Sequence, residues 1–168
     1  MNLIVAVDLN WGIGKNNDLL FHVPEDMKFF RKMTLEKTVV CGKNTLFSFP
    51  GAKPLPKRRH LVLTHQKLDE SENLLVFDSI EKLLSFVKDL PSDEVFVIGG
   101  ESIYRQLLPF CKKAYVTKFF GSDPDADTFF PNLDVHVSYF YQVGTTGQNR
   151  LRIYSKYKAG FPSLLKIC

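Results

Sequence analysis

An acid occupies a helix position whose neighbours are aromatic, in the stretch Pro24-Glu25-Asp26-Met27-Lys28-Phe29-Phe30. With Pro24 as the first helical residue and 3.6 residues per turn, Asp26 shares a face with Phe29, Phe30 and Met33, while Glu25, Lys28 and Lys32 point the other way. A carboxylate set among rings loses its water, which raises its pKa or demands specific partners. A chain that keeps one there is expected to use it as an acid, a base or a ligand anchor.

Three strand ends carry groups suited to phosphate. Glu94 to Tyr104 contains a strand, the pair Gly99-Gly100 and a helix start. Glycines let a backbone approach a diphosphate, and free N–H groups with the helix dipole favour an anion; a tight turn without a ligand would look the same, and the sequence is not a GxGxxG fingerprint. Val40-Cys41-Gly42-Lys43-Asn44-Thr45 sets a cation and a hydroxyl at another helix start, and Leu63-Thr64-His65-Gln66 adds a hydroxyl and an imidazole. Each alone reads more simply as an ordinary turn; together they suit a dinucleotide with an extra ribose phosphate. In Lys53-Pro54-Leu55-Pro56-Lys57-Arg58-Arg59, the prolines would hold an Arg fork steady for a carboxylate, against the plain alternative of a solvated loop. None of His22, His60, His65 and His136 has a plausible metal partner at i+2 to i+4, so no metal site is expected, and no nucleophile motif appears.

The elements that must position these groups follow from pattern. Unalternated apolar runs at Leu3–Val7, Thr38–Cys41, Leu61–Thr64, Leu74–Phe77, Val95–Ile98 and Tyr115–Phe119 read as buried strands. Helices are expected over Pro24–Met33, Asn44–Phe49, Ser79–Lys88 and Glu101–Leu108, the third opened by a capping box, Asp78-x-x-Glu81. The alternation implies an α/β fold, a central mostly parallel β-sheet flanked by helices. Tyr139–Val143 and Leu151–Tyr157, flanking Gly144-Thr145-Thr146-Gly147, add an antiparallel C-terminal hairpin on the sheet edge. Gly12–Asn17, Pro50–Arg59 and Gly121–Asp127 read as loops open to ligands, and ligands are expected beyond the carboxyl ends of the strands.

A chain of 168 residues is one domain, expected over 1–159, with a tail at 160–168. The formal charge of +4 is spread along the chain, with one dense cluster at Lys57-Arg58-Arg59-His60, which favours a small anionic ligand over nucleic acid. Cys41, Cys111 and Cys168 are odd in number and far apart, as suits a reducing cytoplasm. The first apolar run stops at Asp8, too short for a signal or membrane segment, so no membrane association is expected.

The ordered set Ile4-Val5-Ala6, Gly12-Ile13-Gly14-Lys15-Asn16, Pro24 to Phe30, Val40 to Thr45, Pro54 to Arg58, Ile98-Gly99-Gly100-x-x-Ile103-Tyr104 and Asp127-Thr128-Phe129-Phe130-Pro131 resembles dihydrofolate reductase, of the bacterial single-domain type. The match runs from about Leu3 to Tyr157. The resemblance implies a dihydrofolate-reductase-like fold, a cytoplasmic monomer and an NADPH-dependent oxidoreductase. Its reaction would be hydride transfer to C6 of 7,8-dihydrofolate with protonation at N5, giving the tetrahydrofolate of one-carbon metabolism and nucleotide synthesis and making the chain an antifolate target.

By the same resemblance Asp26 is the catalytic acid, bonding the pteridine's amino group and N3, with Thr117 supporting it. Substrate contacts would come from Ile4, Val5, Phe21, Met27, Phe30, Phe49, Lys53, Leu55, Ile98, Tyr104 and Thr117, with Arg58 holding the glutamate α-carboxylate. Cofactor contacts would come from Ala6, Ile13, Gly14, Asn17, Asp18 and Leu19 over the nicotinamide, and from Gly42, Lys43, Asn44, Thr45, Leu63, Thr64 and His65 at the adenosine phosphates. Gly99, Gly100, Glu101, Ser102, Ile103, Tyr104, Gln106 and Thr128 would complete the diphosphate side.

Two departures from the family pattern stand out. Leu19-Leu20-Phe21 stands for the common Leu-Pro-Trp, losing an indole N–H that orients water near the substrate, and Lys43 stands for an Arg, losing the planar fork at the 2′-phosphate. Two further readings compete: the similar NADPH-dependent reductase of riboflavin synthesis, which does not call for Asp26 with Phe30 and Arg58, and a silent nucleotide- or RNA-binding module using Lys57 to His60.

Overall fold

The computed structural model of the protein describes residues 1–135, 139–146 and 149–156. The expected tail at 160–168 with Cys168, the strand end at Tyr157, and His136 lie outside the described residues. In chain order the elements are β1 (Asn2–Val7), β2 (Gly12–Lys15), β3 (Asp18–Leu19), α1 (Pro24–Thr34), β4 (Thr38–Gly42), α2 (Lys43–Ser48), β5 (Arg59–Leu63) and β6 (Leu74–Phe77). They continue with α3 (Ile80–Val87), β7 (Val95–Gly99), α4 (Glu101–Leu107), β8 (Lys113–Lys118), β9 (Thr128–Phe129), β10 (Tyr139–Thr146) and β11 (Asn149–Lys156).

Among the described residues, eight strands form one sheet in the order β10-β11-β8-β1-β7-β4-β5-β6. From β8 to β6 every pairing is parallel, and the two C-terminal strands add antiparallel at the edge. The unalternated apolar runs have a simple cause: both faces of the sheet are covered. Leu3, Val5, Val7, Val40 and Leu61 join Leu83 of α3 and Ile103 and Leu107 of α4 in one core. Ile4, Val39, Cys41, Val62, Phe96 and Ile98 form the other, against Leu46 of α2 and Phe29, Phe30 and Met33 of α1. A helix of eleven residues such as α1 is not stable alone in water, so this aromatic packing, together with Pro24 in its first turn, holds it in place.

Three expectations are corrected. Gly12–Asn17 is not an open loop: β2 pairs with β3 and β9 in a small three-stranded sheet, joined to β3 by a turn with Asn16 at φ 53° and Asn17 at φ 61°, the positive-φ pair a two-residue hairpin requires. The cap of α3 is Ser79, whose hydroxyl accepts from Lys82 N at 3.3 Å, while Asp78 spends its carboxylate on Lys82 Nζ at 2.7 Å. The C-terminal hairpin does not turn at Gly144, since pairing continues to Thr146 opposite Asn149. Among the described residues no helix is long and apolar enough to cross a membrane.

Candidate active site

The carboxyl ends of β1, β4, β5 and β7 open into a cleft of about 660 Å³. Its walls are Val5 and Ala6 of β1, Gly42 to Thr45 and Ser48, Leu63 and Thr64, and Ile98 to Arg105 across the β7–α4 junction. Ile13, Gly14, Asn17, Asp18, Leu19 and Thr128 of the small sheet close it from above. At the β7–α4 junction Gly99 has φ +128° and is joined to Gly100 by a cis peptide bond. A Cβ on Gly100 would sit 3.2 Å from Thr45 Oγ1, so the backbone there stays bare toward the cleft. The first-turn N–H groups of a helix lack intrahelical partners, which makes this a cradle for an anion.

Charge at the far end is positive and hydroxylic. Lys43 Nζ donates to Gln66 Oε1 and lies over the Phe47 ring, 5.4 Å from its centroid, while Thr64 Oγ1 accepts from Gln66 N at 3.1 Å. His65 and Gln106 do not line this cleft; they border an adjoining hollow of about 360 Å³ with Leu63, Thr64, Ser102 and Ile103. Ser48, Gln66 and Arg105 line the main cleft and were not singled out from the sequence. Gln66, following Thr64 and His65 at a strand end, carried the clearest signal for it.

The roof is tied down by carboxylates. Buried Asp8 accepts from Asn10 N and Gly12 N, both at 2.7 Å, and from Asp123 N at 3.1 Å, joining the approach to β2 with the segment before β9. Asp127 accepts from Asn16 N at 2.8 Å. Trp11 stacks on Phe130 at 6.1 Å, and Phe130 meets Tyr104 edge-on at 5.0 Å, anchoring the roof to α4.

At the other end stands Asp26, half-buried on α1 with Phe29, Phe30 and Met33. Loss of water raises its pKa above the ordinary carboxylate value, and a hydrogen bond from the Thr117 hydroxyl partly offsets that rise. Its charge reaches Tyr104, a cleft residue whose hydroxyl donates to Ile4 O at 2.9 Å. Beyond it, Arg58 is only 8% exposed: Nε donates to Thr34 Oγ1 at 2.9 Å, Nη1 donates to Pro56 O at 3.0 Å, and the guanidinium lies over Phe30, 5.8 Å from the ring centroid. Burial, then the like charge of Arg31, lower its pKa. No ion pair joins either arginine to a carboxylate among the described residues. Arg31 was not expected here from the sequence; as an exposed cation on α1 it carried no distinguishing signal.

The remaining expected substrate residues do not line the main cleft. Phe21 packs edge-on against Phe119 at 5.0 Å, and Phe49 against His60 at 6.1 Å. Met27 is 45% exposed, Leu55 half-buried and Lys53 exposed. The cluster Lys57 to His60 makes no basic face: Arg58 and His60 turn inward while Lys57 and Arg59 turn out, and Arg59 lies over the Phe86 ring at 5.0 Å.

A ligand cleft across the carboxyl ends of parallel strands, with a half-buried acid beside one end, defines an α/β enzyme of the nucleotide-cleft type. The chain belongs to the dihydrofolate reductase family, whose model, described as dihydrofolate reductase, matches residues 1–154. It is 42% identical over 133 residues to the dihydrofolate reductase of Haemophilus influenzae, covering 79% of each chain. It is 34% identical over 134 residues to that of Bacillus subtilis, covering 80% of this chain and 77% of the relative. The solved dihydrofolate reductase from Enterococcus faecalis, complexed with NADP(H) and RAB-propyl, superposes with a TM-score of 0.78 at 29% identity, covering 94% of this chain and 96% of that one.

Proposed function

We propose that this chain reduces 7,8-dihydrofolate to 5,6,7,8-tetrahydrofolate with NADPH, and that Asp26 promotes delivery of the proton. The observation that carries the reading is the half-buried carboxyl of Asp26, raised in pKa and held by Thr117, beside a strand that lines the nucleotide cleft. Family membership supports the reaction class.

The residues present fit the cofactor. Lys43 and Thr64 would hold the adenosine-side phosphates, with Gln66 supporting both. The bare backbone at Gly99 and Gly100 would take the diphosphate, and Ala6, Ile13 and Gly14 would flank the nicotinamide. Bound there, NADPH would supply the hydride for the reduction.

The protein's own part is binding, orientation and proton supply. Asp26 bonds the pteridine's amino group and N3 and promotes protonation of N5 through water; an imine nitrogen that gains a proton makes its carbon a better hydride acceptor. Phe30, Met27, Phe49 and Leu55 form the apolar wall for the rings. Arg58, buried and without a carboxylate partner among the described residues, receives the substrate's α-carboxylate. The small sheet over the cleft excludes water from the reacting pair. Cys41 is a buried free thiol, consistent with action in a reducing cytoplasm.

The test follows NADPH absorbance with and without dihydrofolate. Oxidation that depends on dihydrofolate is expected, and silence with folded protein overturns the reading.

A further inference from the structure

The turn that carries Leu55 and Arg58 is fastened to a buried imidazole. His60, on β5, is fully shielded from solvent, and its Nε2 accepts from Leu55 N–H at 3.1 Å. A ring nitrogen that accepts carries no proton, so the neutral imidazole bears its hydrogen on Nδ1. Nδ1 reaches no partner at hydrogen-bond geometry among the described residues.

Among the described residues, no carboxylate acts on the ring to invite a second proton. Its sheet neighbours on β4 and β6 are Val39 and Leu74, and the segment after α2 offers the Phe49 ring. The charged group acting on it is Arg58, and it is a cation. Burial has the largest effect and lowers the imidazole pKa; the backbone of Arg58 comes next and raises it, the Arg58 charge lowers it, the backbone of Asn73 raises it, and the net direction is down. At neutral pH the ring is therefore neutral and the Leu55 bond intact.

The bond also reaches the arginine. Leu55 N–H is fastened to His60, and the carbonyl of Pro56, the next residue, accepts from Arg58 Nη1 at 3.0 Å. Moving the first shifts the second. We propose that His60 is a positioning residue for substrate carboxylate recognition: neutral, it fixes the Pro54–Arg58 turn that aims Arg58, and protonated, it presents a donor to the Leu55 donor and releases that turn. The inference rests on the reading above that Arg58 receives the carboxylate. Since the native pKa lies below the ordinary histidine value, the hold is complete above that value and is lost as pH falls through the lowered one.

The experiment measures dihydrofolate KM and kcat from pH 7.5 to 5.5 at saturating NADPH for the native protein, His60→Asn and His60→Leu. Loss of one hydrogen bond at a recognition turn is worth about tenfold. Native KM is expected to climb toward that figure on the acid side, with kcat following its own profile. His60→Asn, whose amide oxygen can accept from Leu55 without titrating, should hold KM within about twofold across the range; His60→Leu should show the raised KM at every pH. Parallel acid limbs in the native protein and His60→Asn overturn the proposal. Amide exchange at Leu55 in the native protein, corrected for intrinsic pH dependence, decides the matter without turnover: protection should fall in acid, and constant protection overturns the role even if the protein reduces a different substrate.

Discussion

Ala6 and Thr117 face each other in register across β1 and β8; one lines the nucleotide cleft and the other donates to the carboxylate of Asp26. A single rung of the sheet thus sets the distance between the wall of the cleft and the half-buried acid. Both strands are parallel and buried, with Ile4, Val5, Val7 and Val116 each under a tenth exposed, so the rung is rigid. Preorganisation of that kind lets a reaction proceed without reorganising the protein.

Asp26→Asn separates chemistry from stability. The amide keeps the shape and can still accept from Thr117, but it supplies no proton, so turnover at neutral pH should fall by about 10² or more and recover in part in acid. Stability should move the opposite way. The folded carboxyl titrates above its unfolded value, so the cost of its ionised form is absent below the unfolded pKa and complete above the folded one. The variant should therefore melt higher than the native protein at pH 7, with the gain vanishing at low pH. Unchanged turnover at neutral pH would remove Asp26 from its role.

Arg58→Leu removes a buried cation that has no carboxylate partner among the described residues. A charge-assisted contact of about 1.5–3 kcal/mol corresponds to a rise of roughly 10- to 100-fold in dihydrofolate KM. NADPH affinity, measured by fluorescence titration, should hold. An unaltered KM sinks the assignment.

What the sequence made legible was what depends on period and chemistry together. Apolar runs located six buried strands to within about two residues of their observed ends because both sheet faces are covered, and the helical period put Asp26 on the Phe29, Phe30 and Met33 face. What stayed hidden depends on partners remote in sequence. β3 and β9 have two residues each, too few for any period, and Gly12 and Gly14 read as turn residues until Thr128 and Phe129 pair with them. Arg31 gains meaning only from its proximity to Arg58, and the basic cluster at Lys57 to His60 dissolves because Arg58 is drawn in by Thr34 and Pro56 and β5 alternation exposes Arg59 while burying His60.

Lys43→Ala addresses the cofactor's ribose phosphate. Lys43 lines the cleft beside Gln66 and Phe47, where a cation favours NADPH over NADH by about 1–2 kcal/mol in a partly exposed position. The variant should lose about tenfold in NADPH affinity and little in NADH affinity, read as the ratio of the two dissociation constants. A ratio equal to that of the native protein would show that Lys43 does not contact the phosphate.

Thr117→Val tests whether the β1–β8 rung tunes the acid as well as placing it. The Thr117 hydroxyl stabilises the ionised form of Asp26 and so opposes the rise caused by burial. Valine has nearly the same shape but cannot donate, so the Asp26 pKa should climb further. If the proton-supplying form governs turnover, the rate falls as pH rises through that pKa, and the variant's fall should therefore lie at higher pH than the native one. Thr117→Ser, which restores the hydroxyl, should bring the profile back, a rescue that repacking alone would not give. Thr117 is also 3% exposed, so both variants should be compared at matched thermal stability. A profile that stays where the native one lies would mean that burial alone sets the acid and that Thr117 contributes only its place in the sheet.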